Sequence, residues 1–430
     1  MKRLLIVLLS FVLIVTIVTA ANAQSFTVIW QDKIETDDIA LSKDGRNVAV
    51  AEFIPSGFGS EGTGRVRFYG RSSVIPIWTS SISEGLWGIT ISADGNSIAA
   101  RGDAHVFFWT NARSLTGNPP PTWVSADVKD PVLRRCVDIS DDGNFLAACG
   151  DGGIFYWSNA LSNTGTNVPA SWSSSTGALA IDLSNSGDFL VAGVGKTVAY
   201  WKNVKALSGN PPPAWQSTKP ADLVVDVAVS ADGNFVVAAV ESDRIHYWAG
   251  AKSLSGDPSA TWDGGVTASF TSIDMSSDGG SVVAGAYKTD PTVYFWGAAT
   301  GLSGTPSPTW AFATGSMVLD VVITGSGDAV VALNDLPTRS VYFLNRFGVM
   351  QWSQQLDFPG EELSISSDGS TLAVGTQGLG TSYLFSTGFV PVGGYVSSED
   401  KLGILTPYLA LVGLVGLVVV LVLIKRYRRD

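Results

Sequence analysis

Eight times along this chain a short alternation of apolar and polar residues runs into a tight turn and out again. The clearest copy is LVVDVAVSADGNFVVAAV, Leu223–Val240. Aligned on the turn position, the copies centre on Asp44, Asp94, Asp142, Ser186, Asp232, Asp278, Ser326 and Asp368, with successive spacings of 42 to 50 residues. Three and five residues before that position every copy is apolar, as at Ile39 and Leu41, Val227 and Val229, or Leu363 and Ile365. Four after it every copy is apolar again, as at Val48, Leu146, Val236 and Leu372. Alternation with period two on both sides of a Gly turn predicts a β-hairpin with one buried face. Gly follows the turn position in all eight copies, as a turn with positive φ requires. Ser or Thr stands two residues before it, where a hydroxyl can bond the turn backbone. The SxDG phrase therefore punctuates the chain and is not a site.

Each repeat continues into a third strand ending in aromatics (Phe108-Trp109, Tyr156-Trp157, Tyr200-Trp201, Tyr247-Trp248, Phe295-Trp296). A fourth strand then ends near another Trp, at 78, 123, 172, 215, 262, 310 and 352. A period of this length with four short strands predicts a β-propeller, one blade per repeat. An aromatic stripe so regularly spaced is core between blades. Eight sets of first to third strands have only seven fourth strands following them, and the missing one stands before the first repeat, in SFTVIW. The expectation is all-β, an eight-bladed propeller whose N-terminal strand closes the last blade beside Tyr383–Phe385. Closure removes open sheet edges. Seven blades with a divergent hairpin is the alternative, and FVPVG at Phe389–Gly393 is a competing last strand.

The repeat SADGNFVVAAV followed by IHYW resembles the WD-repeat family, and VYFLNRFGVMQW (Val341–Trp352) is similar to pyrroloquinoline-quinone-type propeller repeats. The resemblance spans about residues 25–385 and implies a fold rather than an activity. The quinoproteins use adjacent cysteines beside their cofactor. Here only Cys136 and Cys149 occur, so no quinone cofactor carries over. The His and Asp signatures of true WD repeats are missing too, and with them the cytosolic scaffold roles.

The ends of the chain change the picture. Residues 1–23 have Lys2 and Arg3, a long apolar run and Ala21-Asn22-Ala23, the layout of a secretory signal peptide. An uncleaved anchor is the other reading of so long a run. Residues 24–385 form the expected ectodomain and 386–401 a linker. Leu402–Ile424 holds 23 residues without a charge, about 34 Å as a helix, and the basic tail 425–430 follows. Basic flanks stay cytoplasmic, so the expectation is a single-pass type I membrane protein with its propeller outside. The tract from Asp400 to Asp430 resembles the C-terminal anchors of many archaeal envelope proteins. The linker of 15 residues, 386–400, reaches at most about 50 Å, which turns the LSG…PPP loops (Leu115–Pro121, Leu207–Pro213) toward the membrane and the opposite face outward.

Residues 24–400 carry 20 Lys and Arg against 37 Asp and Glu, a net −17. That balance argues against nucleic acid and anionic lipid as partners and suits cations or a basic protein surface.

The candidate chemistry lies in the acid inside the apolar strand. Four or six residues before the turn position stand Asp38, Asp138, Asp182, Asp226, Asp274, Asp320 and Glu362; only the Asp94 copy has none. First strands line a propeller's channel, so these acids are expected to ring one mouth. One reading has each carboxylate capping backbone N–H groups or pairing with the neighbouring blade. The other is a cation or basic-ligand site, for which calcium has suitable chemistry. Cys136 and Cys149 face each other if the turn position −3 pairs with +4, which allows a cross-strand disulfide; a register slipped by one separates them.

Other motifs are weaker. GFGSEG at Gly57–Gly62 lies in a loop between two strands and lacks the strand-to-helix context of a dinucleotide site. RGD at Arg101–Asp103 is short enough to arise by chance, and His105 and His246 occupy different positions of different blades. The expected function is a binding or scaffold module for an envelope or extracellular macromolecule, without catalysis or cofactor. An ion or small-ligand sensor and an extracellular glycan-acting enzyme are the alternatives.

Overall fold

The computed structural model describes residues 26–389 apart from 56–61, 129–135, 151, 288–290 and 379. The expected signal peptide 1–23, membrane segment 402–424 and basic tail lie outside these residues, as do Val390–Gly393. Among the described residues, no helix is long and apolar enough to cross a membrane.

Eight sheets with antiparallel blades follow one another along the chain, seven with their own four strands in sequence order from the inside out, the second also taking a parallel fifth strand, Gly165–Val168, from the next blade's loop. Blade 1 is Asp38–Leu41, Asn47–Pro55, Gly62–Gly70 and Trp78–Ile82; blade 5 is Val224–Val229, Phe235–Val240, His246–Ala249 and Trp262–Asp263. In the eighth sheet the fourth place is taken by Thr27–Asp32, which pairs with Ser382–Ser386 from Thr27↔Ser386 to Asp32↔Ser382. The ring has eight blades, not seven, and the N-terminal strand closes it. FVPVG is not the closing strand, because the edge it would need is already occupied. Phe389 instead packs into the core, its ring 5.6 Å from Phe343.

The first hairpins show why the repeat reads as it does. Leu41 pairs with Val48, Val229 with Val236 and Ile365 with Leu372, so position −3 faces +4 in each. The eight turn glycines all have φ between 69° and 80°. In blade 1 the Ser42 hydroxyl donates to Asp44 at 2.6 Å and accepts the Asn47 amide at 3.0 Å. Blades 2, 3, 5, 6 and 8 repeat this knot of Ser, Asp and amide.

The Trp of each fourth strand ties two blades together. Trp215 stacks at 5.2 Å on Tyr200 of its own blade and lies 5.6 Å from Trp248 of the next. Its indole N–H donates to the Ala251 carbonyl of that next blade at 3.0 Å. Trp78, Trp123, Trp172 and Trp262 make the same bond to Ala112, Ala160, Val204 and Ala299. The third-strand Trp turns inward: Trp109, Trp201, Trp248 and Trp296 donate to a Pro carbonyl ten residues on. The PPP and related loops thus give buried indoles an acceptor, which an apolar loop without a free carbonyl could not.

Removing residues 24–32 leaves the Ser382–Ser386 edge unpaired. Such a chain is expected to melt at lower temperature and to aggregate, and the peptide SFTVIWQD added in trans to restore the melting point. Calorimetry with and without the peptide measures this; an unchanged melting point of the truncated chain would show that closure adds no stability.

Candidate functional site

In a propeller the first strand of each blade has a neighbour on its outer edge only. Its inner edge faces the channel, where half its amides point at no other strand, and a buried amide without an acceptor is costly. The acids answer this need. Asp226 accepts the amide of the next residue, Val227, at 2.9 Å on one oxygen and that of Ile273, in the following blade, at 2.9 Å on the other. Asp38 bridges Ile39 and Ile89, both at 2.7 Å. Asp138 bridges Ile139 and Leu183, Asp182 bridges Leu183 and Val229, and Asp274 bridges Met275 and Ile323. Asp320 accepts Leu363 of the next blade at 2.8 Å and the Ser272 hydroxyl of the preceding one at 2.9 Å.

Every bond from one of these carboxylates to an amide of another blade runs in the same direction, from a blade to its successor. An acid six before the turn reaches the amide five before the next turn; an acid four before reaches the amide three before. The last link, from blade 8 to blade 1, is made by the Ser364 hydroxyl, which accepts the Leu41 amide at 2.9 Å. Glu362, buried in the same blade, lies two residues away on the same face. Blade 2 carries Thr90 and Gly88 at the equivalent positions, as the sequence showed. Ser364 and Ser272 were not singled out from sequence, because a serine in a strand carries no signal until its register opposite a neighbouring amide is known.

Burial sets the protonation of this ring. Asp38 and Asp320 are buried, whereas Asp138, Asp182, Asp226 and Asp274 keep partial contact with the channel. Desolvation raises Asp138 above the usual carboxylate range against the pull of the two amides it accepts. Desolvation raises Asp182 further, helped by the charge of Asp138. Asp274 is pushed up to about 7, by desolvation first, with the charges of Asp226 and Asp320 adding to it and the Ile323 and Met275 amides opposing.

The remaining sequence candidates are placed as follows. Cys136 and Cys149 face each other across the first hairpin of blade 3 and form a disulfide, Cα to Cα 4.9 Å. Arg101 of RGD is buried in a second strand, and Asp103 accepts the Trp87 indole at 2.6 Å and the Gly85 amide at 3.0 Å, so the tripeptide is built into the blade. His105 bonds Glu84, and His246 bonds Asp263 at 2.7 Å in a different blade. Among the described residues no group of three or more His, Cys, Asp or Glu is arranged to hold a metal ion. Of GFGSEG, only Gly62 is described; it pairs with Pro55 at the tip of the longest hairpin, Asn47–Pro55 with Gly62–Gly70. Beside that hairpin Phe53 and Trp87 stack at 5.2 Å.

Two outcomes are expected of variants in the ring. Asp226→Ala removes the acceptor of two amides and should lower stability by roughly 2–6 kcal/mol, at about 1–3 kcal/mol per unsatisfied group, with Asp226→Asn losing less. A urea midpoint at constant slope reads this directly. Asp274 has a folded value raised above its unfolded one, so the stability it contributes is complete below about pH 4 and is lost as pH rises through about 7. Asp274→Asn should flatten the fall in stability between those limits; a slope identical to wild type would assign the pH dependence to other groups.

The sequence matches no protein-family model and no curated protein. Solved structures match it in shape. The Chaetomium thermophilum Sqt1, crystallised with the N-terminus of a ribosomal protein, superposes with a TM-score of 0.66 at 14% identity, over 82% of this chain and 97% of that one. The C-terminal WD40 domain of Sif2 gives 0.60 at 13% identity, over 84% and 98%. BamB from Moraxella catarrhalis gives 0.59 at 13% identity, over 84% and 100%. At such identities the likeness is one of fold: this chain is a β-propeller of the kind seen in WD40 and BamB-like proteins.

Proposed function

We propose that this protein is a membrane-anchored extracellular propeller that binds a protein or envelope polymer through the face opposite the one where its chain departs. The observation that carries the reading is the asymmetry of the two faces. The last described residues, Thr387 and Phe389, lie against the SDG turn of blade 8, with the Thr387 amide donating to Ser370 at 3.1 Å. Beyond them the sequence leads to the apolar segment 402–424, the expected anchor of a type I protein whose signal peptide is residues 1–23. The opposite face carries the long hairpin of blade 1 and the Phe53–Trp87 stack.

The neighbours by shape support a binding role, Sqt1 having been crystallised with a bound segment of another protein. The channel acids enter this reading as part of the frame, since two backbone amides take up both oxygens of Asp38, Asp138, Asp226 and Asp274. The reading includes no cofactor, no calcium and no catalytic step.

The test uses the full chain in membranes of its own organism, with a photo-crosslinking residue at Thr63 in one preparation and at Leu207 in another. One dominant macromolecule captured from Thr63 and not from Leu207 is the expected result. Capture from Leu207 alone would reverse the assignment of the faces.

A further inference from the structure

The face where the chain departs is not uniform around the ring. Blades 2 to 6 meet it with ordered third-to-fourth loops, each carrying a short 3-10 turn. The loop glycines Gly117, Gly209, Gly256 and Gly304 bridge back to the fourth-strand Trp of the preceding blade, and blade 3 does so with the strand Gly165–Val168. Blades 7 and 1, on either side of the closing blade 8, lack that loop and present apolar tips instead. In blade 1 the segment between Gly70 and Trp78 exposes Val74 and Ile75, Ile75 to 74%. In blade 7 the turn after Asn345 exposes Phe347 to 70%, with Val349 and Met350 beside it. Isolated exposed side chains of this kind are ordinary, but clusters of large residues on the two blades that flank the closing blade are not.

Between these tips the charge reverses. In a chain whose described region is strongly acidic, Arg46, Arg71 and Arg113 converge on one cleft of about 510 Å³, together with Ser72, Ile29 and Ser386. The Arg46 guanidinium lies 3.9 Å from Asp44, and Arg113 donates to the Asp94 main-chain carbonyl at 3.5 Å. In blade 7, Arg346 is held by Asp328 and lies over the Phe347 ring. Arginines in a fork around a polar cleft suit phosphate oxygens, and flanking apolar tips suit the acyl boundary just beneath a headgroup layer.

We infer that blades 7, 8 and 1, with the adjoining turn of blade 2, seat this face on the phosphate headgroups of a lipid bilayer, with Ile75 and Phe347 entering the lipid and Arg46, Arg71 and, from blade 2, Arg113 holding headgroup phosphate. The inference rests on the anchored reading proposed above. The occupant follows from where the chain goes. Phe389 ends the described region on this face, and residues 390–401 separate it from the apolar segment 402–424. Twelve residues reach at most about 43 Å, so an anchored propeller could never leave the neighbourhood of the bilayer. The effective concentration of lipid at this face would therefore be high, and weak individual contacts would suffice. The overall acidity of the chain argued against an anionic surface, but net charge averages over faces, and this sector is locally basic.

The experiment places a nitroxide on the full chain in phosphatidylcholine–phosphatidylglycerol vesicles, at Ile75→Cys, Phe347→Cys, Leu336→Cys or Leu414→Cys. Leu336 is an exposed apolar residue on the opposite face, 59% exposed, and serves as the aqueous reference. The expected result is relaxation by oxygen and protection from a water-soluble nickel chelate at 75 and 347, with the reverse at 336. Arg46→Gln, Arg71→Gln and Arg113→Gln together should move the label at 75 into water. Labels at 75 and 347 as aqueous as 336, with 414 in lipid, would overturn the docking and leave the anchor standing. Aqueous readings at 75, 347 and 414 alike would remove both. A lipid signature at 75 with 414 in water would keep the docking and remove the anchor.

Discussion

A propeller has one unavoidable electrostatic problem, and this one solves it with aspartate. The innermost strand of every blade turns a row of amides toward the channel, where no further strand can pair with them. Water could serve these groups only if the channel were wide. A carboxylate serves two at once, and because its second oxygen reaches the next blade it also fixes the angle between neighbours. The bond is charge-assisted, of a class worth about 1.5–3 kcal/mol each. It also has direction: blade 1 and blades 3 to 7 each hold their successor this way, and the last holds the first through Ser364.

The periphery is organised by the same logic with a different donor. Fourth-strand indoles need acceptors in a dry environment, and the turns of the next blade supply carbonyls at about the right height. Inner and outer ties therefore act on the same pair of blades, with aromatic stacking between them. Where one tie is missing, others remain. Blade 3 begins with the strand Val137–Ile139, only three residues, and follows the one blade without an acid. There the Cys136–Cys149 disulfide holds the register of the hairpin directly.

Acidity and function are consequently separable in this molecule. Part of the negative charge belongs to the frame, where the carboxylates accept backbone amides of neighbouring blades. The proposed binding surfaces lie elsewhere, on the long-hairpin face and on the basic, apolar-tipped sector around blades 7, 8 and 1.

By itself the sequence determined the repeat, the hairpin register, the blade number and the closing strand. Each follows from short-range periodicity: alternation at period two, a glycine at positive φ after every turn, and one Trp-ended strand out of place at the N-terminus. It also located the acids on the first strands, four or six residues before the turn. Which atoms those acids would satisfy was decided only by tertiary structure, because an amide in the next blade lies 43 to 51 residues away. The same holds for Ser364, for the Pro carbonyls beneath the indoles, and for Arg46, Arg71 and Arg113. These arginines come from two blades and have no common spacing, so nothing in a linear reading joins them. Curvature of the ring does, by bringing the turns of adjacent blades to one rim.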